Sequence, residues 1–245
     1  MQQLGFIGLG SFGRFIIPHL RPYFNITVFD ERPLQEEAIE LGVEWGNIEL
    51  VCSKEIVVAG VPIHFMEALL IQIKDMIKPG TLFIDICSVK VKPVAWIQQY
   101  LHPEVEIIAT HPLFGPQSGK HGIKGLNMVV CPVRLRSAKV KAMMRFFSET
   151  LQLNVLERTP VIHDKQMAYV QALTHFIGRA VNEMDIPDVE QKTPAYQFLL
   201  DIKRNLGQDS WDLFLTIENG NPFAKEVRDQ FVEELQKLNE ILDKK

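Results

Sequence analysis

The chain has 245 residues, 47% of them hydrophobic and 23% charged, and a formal net charge of −4. This is enough apolar material for one large core or two modest ones, and there is no cationic excess of the kind that marks a nucleic-acid partner. The cysteines Cys52, Cys87 and Cys131 are odd in number and fit no zinc spacing, so they read as reduced thiols of a cytoplasmic protein.

In chain order, the first half alternates short β-rich runs with helical stretches, the pattern of a parallel sheet covered by helices. The expected strands are Leu4–Gly8, Ile26–Asp30, Ile56–Ala59, Leu82–Ile86, Glu106–Thr110 and Met128–Cys131, with Asn154–Glu157 as a last edge strand. Helical patterns fall between them at Gly13–Leu20, Leu34–Leu41, Phe65–Ile77, Val94–Tyr100 and Ala138–Leu151, and Pro79-Gly80 marks a turn. The texture then changes. One long helical pattern runs from Val161 to Met184 and is ended by Pro187. Helices follow at Tyr196–Leu206, Trp211–Glu218 and Pro222–Leu242, the last with Pro222 in its first turn. The expected fold class is therefore α/β, an N-terminal Rossmann, doubly wound, mostly parallel sheet over 1–157 with an all-helical substrate and dimerisation domain over 158–245. So long an apolar helix in so small a domain predicts a homodimer through the helical part. No apolar run reaches the roughly 18 residues a membrane helix needs, so no membrane partner is expected. The apolar N-terminus lacks the basic segment of a signal peptide.

The run Gly8-Leu9-Gly10-Ser11-Phe12-Gly13 reads G-x-G-x-x-G, after one strand and opening a helix. Each glycine has its own reason: Gly8 for a tight turn, Gly10 for close approach of a pyrophosphate, Gly13 for packing of helix on strand. The helix N-terminus, with Ser11 and Phe12 in it, turns free N–H groups towards the phosphates. Asp30 ends the second strand, where a carboxylate accepts the ribose hydroxyls and repels a 2′-phosphate, favouring NAD over NADP, although Arg32 is close by.

Two polar clusters follow expected strands at their carboxyl ends, where open parallel sheets bind ligands. They are Asp85–Lys90 (Asp-Ile-Cys-Ser-Val-Lys) and Thr110–Pro116 (Thr-His-Pro-Leu-Phe-Gly-Pro). With the helix opening His163-Asp164 and running through Met167-Ala168-Tyr169, Gln171-Ala172-Leu173 and His175-Phe176, they resemble the motifs of the prephenate dehydrogenase family, in the same order from Leu4 to about Asp209. The resemblance implies oxidative decarboxylation of prephenate to 4-hydroxyphenylpyruvate. A neutral His111 imidazole would accept the hydrogen bond of the ring hydroxyl as it becomes a carbonyl, a task suited to imidazole near neutral pH. Ser88 would orient that imidazole or touch the substrate, and Lys90 would add positive charge beside it. The resemblance also implies Arg204, shortly before Gln208-Asp209, as the guanidinium for a substrate carboxylate. Gln171 and His175, four residues apart on one helical face, would line the pocket. His163-Asp164 has a second reading as a helix start capped by Asp164.

Departures from the family bear on the substrate. Thr174 and Gln197 stand where some relatives carry arginine, and Gln117 where many carry an acid. A neutral Gln117 leans towards prephenate, whereas His111–Gly122 also resembles plant-type arogenate dehydrogenases, which would give tyrosine directly. The chain shows no chorismate mutase segment or regulatory domain, so a monofunctional enzyme is expected. β-Hydroxyacid dehydrogenases share the opening glycine run but need a lysine four residues after an asparagine on the long helix, and here Asn182 is followed at that distance by Ile186. A catalytically silent NAD-binding regulator would need no His111, Ser88 and Arg204 set.

Overall fold

A computed structural model describes residues 1–134, 138–206 and 210–244. The chain forms two compact units, Met1–Pro160 and Val161–Lys245.

The first unit is built on an eight-stranded sheet in the order β3-β2-β1-β4-β5-β6-β7-β8. The strands are β1 (Gln2–Ile7), β2 (Phe24–Phe29), β3 (Glu44–Trp45), β4 (Ile56–Ala59), β5 (Leu82–Asp85), β6 (Glu106–Pro112), β7 (Asn127–Arg134) and β8 (Asn154–Glu157). Those from β3 to β6 in this order run parallel. β7 turns back antiparallel to β6, and β8 is parallel to β7. Helices α1 (Ser11–Leu20), α2 (Gln35–Glu40), α3 (Ile48–Cys52), α4 (Ile63–Ile73), α5 (Val91–Tyr100) and α6 (Ala138–Arg145) connect the strands, and a π turn, Phe146–Thr150, extends α6.

Period-two alternation sorts the side chains of each strand onto two faces. Leu4 and Phe6 of β1 join Val28, Ile84 and Ile108 under α1, with Ile16, Ile17 and Leu20. Ile7 joins Val57, Ala59, Phe83 and Ile107 on the opposite face, with Met66, Leu70 and Ile73 of α4 and Ile97 of α5. Both faces being covered, the central strands read as continuous apolar runs, and every residue of β4 is buried. Each such Leu, Ile or Phe contributes on the order of 1.5–3 kcal/mol by burial.

Some local expectations are revised, and two short elements are added. β3 and α3 carried no expectation, because two and five residues are too short to show periodicity. β6 does not stop at Thr110: pairing of His111 with Val129 and Pro112 with Met128 extends it through Pro112, so His111 lies in a strand and not in the following loop. Pro187 does not stop the long helix, which ends at Glu183 before Asp185 takes a positive φ of 48°.

The second unit contains α7 (Pro160–Met167), a π turn (Ala168–Leu173), α8 (Thr174–Glu183), α9 (Pro194–Leu206), α10 (Trp211–Gly220) and α11 (Ala224–Asp243). α8 and α9 meet at Gly178, where an added Cβ would lie 3.0 Å from the Leu206 Cβ. Pro222 lies outside α11, because the buried Asn221 sets the entry to that helix. The Asn221 Nδ2 donates to the Asp164 carbonyl at 2.7 Å, and its Oδ1 accepts the Phe223 N–H at 2.9 Å. Asn221→Ala removes both bonds at a buried position. It is expected to cost about 1–3 kcal/mol, read as a lower urea midpoint for helical signal.

Candidate active site

The glycine run closes tightly between β1 and α1. Gly8 has φ +101°, and a Cβ there would sit 2.5 Å from the Gly60 carbonyl oxygen, so only glycine fits this turn. A Cβ on Gly13 would sit 2.5 Å from the Gly8 carbonyl oxygen, which is how α1 comes so close to the strand. Gly10 caps α1 in extended conformation, and a Cβ there would meet nothing within 4 Å. That open space above free helix N–H groups fits a pyrophosphate. Ser11 is exposed at the first position of α1, and Phe12 packs on the rings of Phe15 and Phe114 at 5.9 and 6.4 Å.

Asp30, one residue beyond β2, is anchored by the Leu9 N–H, which donates to Oδ2 at 2.7 Å. Arg32 grips the same carboxylate through its backbone N–H (3.0 Å), Nε (2.9 Å) and an Nη (3.0 Å). Burial pushes the Asp30 carboxyl up, but the Arg32 and Leu9 hydrogen bonds outweigh it and hold the group below the usual carboxylate range. It is therefore ionised and able to accept ribose hydroxyls. The Arg32 grip went unforeseen; the signal was the two-residue spacing of acid and guanidinium.

The two polar clusters lie along the same edge, three and four strands from β2, or about 14 and 19 Å at ~4.8 Å per strand. There the ends of β5 and β6 are tied together. The Thr110 Oγ1 donates to the Asp85 carbonyl at 2.8 Å, and the Lys90 Nζ donates to the Thr110 carbonyl at 2.6 Å and to Asp85 Oδ1. The Cys87 N–H also donates to Asp85 Oδ1, at 3.0 Å. Asp85 Oδ2 is buried and has no hydrogen-bond partner among the described residues. Burial pushes the Asp85 carboxyl up, and the Lys90 ammonium pulls it part of the way back. Both side chains are 0% exposed. Lys90 is thus a correction: it was expected to present its charge to a substrate, but Asp85, five residues earlier, draws it into the protein.

His111 follows Thr110 on β6 and, by strand alternation, shares the face of Ala109, which packs with Val94 of α5. It is 6% exposed. Ser88 is half-buried on the segment between β5 and α5, and Gln117 is exposed in the loop between β6 and β7.

In the helical unit, Gln171 lies in the π turn and His175 in α8, both half-buried. A π turn adds a residue to the helical repeat, so four-residue spacing does not align these two side chains as in a regular α-helix; such turns recur at functional sites. The Gln171 Oε1 is buried without a partner among the described residues. Arg204 lies exposed in the last turn of α9 and pairs with Asp201; Gln208 and Asp209 lie outside the described residues. Asp164 is no cap, because α7 begins at Pro160 and its carboxylate meets the Nδ1 of buried His163 at 2.7 Å.

Residues 21–150 match the family model described as prephenate dehydrogenase, nucleotide-binding domain, and residues 180–245 match a TYRAAT1-like, C-terminal domain. Arogenate dehydrogenase 2, chloroplastic, of Arabidopsis thaliana is 30% identical over 91% of this chain, and a probable arogenate/prephenate dehydrogenase of Methanocaldococcus jannaschii is 30% identical over 84%. The chain spans 65% of the first relative's length and 48% of the second's. In fold it is similar to prephenate dehydrogenase from Aquifex aeolicus, solved with hydroxyphenyl propionate and NAD+ (TM-score 0.78, 19% identity, all of this chain and 91% of that one). It is also similar to Synechocystis arogenate dehydrogenase (TM-score 0.72, 17% identity, 99% of this chain and 92% of that one).

The glycine geometry separates folding from binding. Gly13→Ala drives a methyl into backbone and is expected to cost about 1–3 kcal/mol of stability. Gly10→Ala meets open space and is expected to leave the denaturant midpoint nearly unchanged while weakening dinucleotide binding at least tenfold, measured by calorimetric titration with NAD.

Proposed function

The chain belongs to the prephenate dehydrogenase family, and from that premise we propose that it oxidises and decarboxylates prephenate with NAD. Products are 4-hydroxyphenylpyruvate, carbon dioxide and NADH. Bound NAD supplies the hydride acceptor. The Gly8–Gly13 turn and the α1 N-terminus hold its pyrophosphate, and the Asp30 carboxylate takes the adenosine ribose. The His111 imidazole accepts the hydrogen bond of the ring hydroxyl as that carbon becomes carbonyl-like, drawing electrons out of the C–H bond as hydride. Loss of the ring carboxylate then makes the ring aromatic, and the hydroxyl proton returns to the product phenol. Ser88 positions imidazole or substrate. Arg204, His175, Gln171 and Gln117 are the substrate contacts of this reading; Lys90 acts from inside the protein.

The observation that carries the reading is His111 on the carboxyl edge of the sheet, three strands from the glycine turn on the same edge. The names of the Arabidopsis relatives favour a second reading, with arogenate as substrate and tyrosine as product. The two differ by an ammonium on the side chain, and the neutral, exposed Gln117 offers that ammonium no charge partner. A second copy of the chain covers exposed apolar side chains of the helical unit, among them Phe198, Trp211, Leu235, Leu238 and Leu242.

The test is NADH absorbance on mixing NAD with prephenate and, separately, with arogenate. Turnover with at least one is expected, with prephenate the better. His111→Asn is expected to lower kcat by a factor of about 100 or more and leave the Kd of NAD within twofold. A folded chain that binds NAD yet reduces it with neither compound is a regulator instead.

A further inference from the structure

The Asp85–Lys90 pair is an expensive arrangement. Two opposite charges are taken wholly out of water, and one carboxylate oxygen has no hydrogen-bond partner among the described residues. Buried pairs of this kind are often replaceable by apolar side chains with no loss of stability, so holding the fold together does not account for it. Its contacts suggest what does. The Lys90 ammonium reaches across from the start of α5 to the Thr110 carbonyl, and the Thr110 hydroxyl reaches back to the Asp85 carbonyl. The oxygen that Lys90 holds belongs to the peptide unit whose nitrogen is that of His111. Fixing that peptide plane fixes the Cα–Cβ direction from which the imidazole departs. The Cys87 N–H, donating to the same carboxylate, ties in the segment that carries Ser88.

We propose that Asp85 and Lys90 are positioning residues. Lys90, held in place by Asp85, and the Thr110 hydroxyl, donating to the Asp85 carbonyl, together lock the peptide plane between Thr110 and His111 and so set the direction of the imidazole, while Asp85 fixes the Ser88 segment against it. This rests on His111 being the proton-accepting group of the reaction. Neither Asp85 nor Lys90 touches substrate or cofactor in this proposal. The fold therefore keeps a cation beneath the reacting edge without displaying it.

The experiment compares wild type with Asp85→Asn/Lys90→Met, which removes both charges and leaves neither stranded, and with Thr110→Val, which keeps both charges and loses only the hydroxyl bridge. The readouts are kcat, the KM for NAD, and the ring signals of isotope-labelled histidine, with the His111 signal assigned by its disappearance in His111→Asn. In the double variant kcat is expected to fall at least tenfold with the KM for NAD within twofold, and the His111 signal to move or split while those of His102 and His163 stay in place. Thr110→Val is expected to show the same changes at about threefold in kcat, and it decides the matter where the double variant does not fold. An unmoved His111 signal with unchanged kcat in either folded variant overturns the proposal. If wild type turns over neither prephenate nor arogenate, the dehydrogenase reading falls, and the His111 signal alone then judges the positioning pair.

Discussion

The sheet-borne part of the candidate site follows from strands that share one direction. β3, β2, β1, β4, β5 and β6 all run parallel, so their carboxyl ends form a single edge. The glycine turn after β1, Asp30 after β2, Asp85 at the end of β5 and His111 near the end of β6 are far apart in sequence. They are spaced along that edge by nothing more than strand width. A long two-part cofactor and a small substrate need such a row of polar groups on an apolar platform. The crossover helices supply the platform by covering both faces.

The nucleotide half of this edge was legible from the residues because its requirements are local. A glycine that must take φ +101°, a glycine that must let a helix touch a strand, and a carboxylate at the next strand's end each leave a mark on the sequence. The chemical half was only partly legible. His111 and Ser88 stood out through the motif they belong to. Whether Lys90 faces outwards or inwards depends on the Asp85 carboxylate and on a carbonyl from the neighbouring strand, and no periodicity encodes that. The extension of β6 through His111 was hidden for a similar reason, since it comes from antiparallel pairing with β7 across a loop.

The helical unit shows the same division. Its helices are visible as apolar periodicity, but their stops and irregularities are not. The π turn over Ala168–Leu173 breaks no composition rule and contains neither glycine nor proline, yet it changes which side chains align around Gln171. At the entry to α11, Asn221 is the residue at work and the neighbouring Pro222 is not, because a buried side-chain amide can satisfy two backbone groups at once.

The sheet also ends cautiously on both sides. One border strand, β3, is two residues long, and the other, β8, is four. Borders this short offer few unpaired backbone groups to a foreign strand. Such a sheet is poorly suited to growing by edge-to-edge addition, so self-association of this molecule into ordered β aggregates is disfavoured at the level of the backbone. Association between copies is left to side-chain surfaces, which can be selective in a way that bare peptide groups cannot.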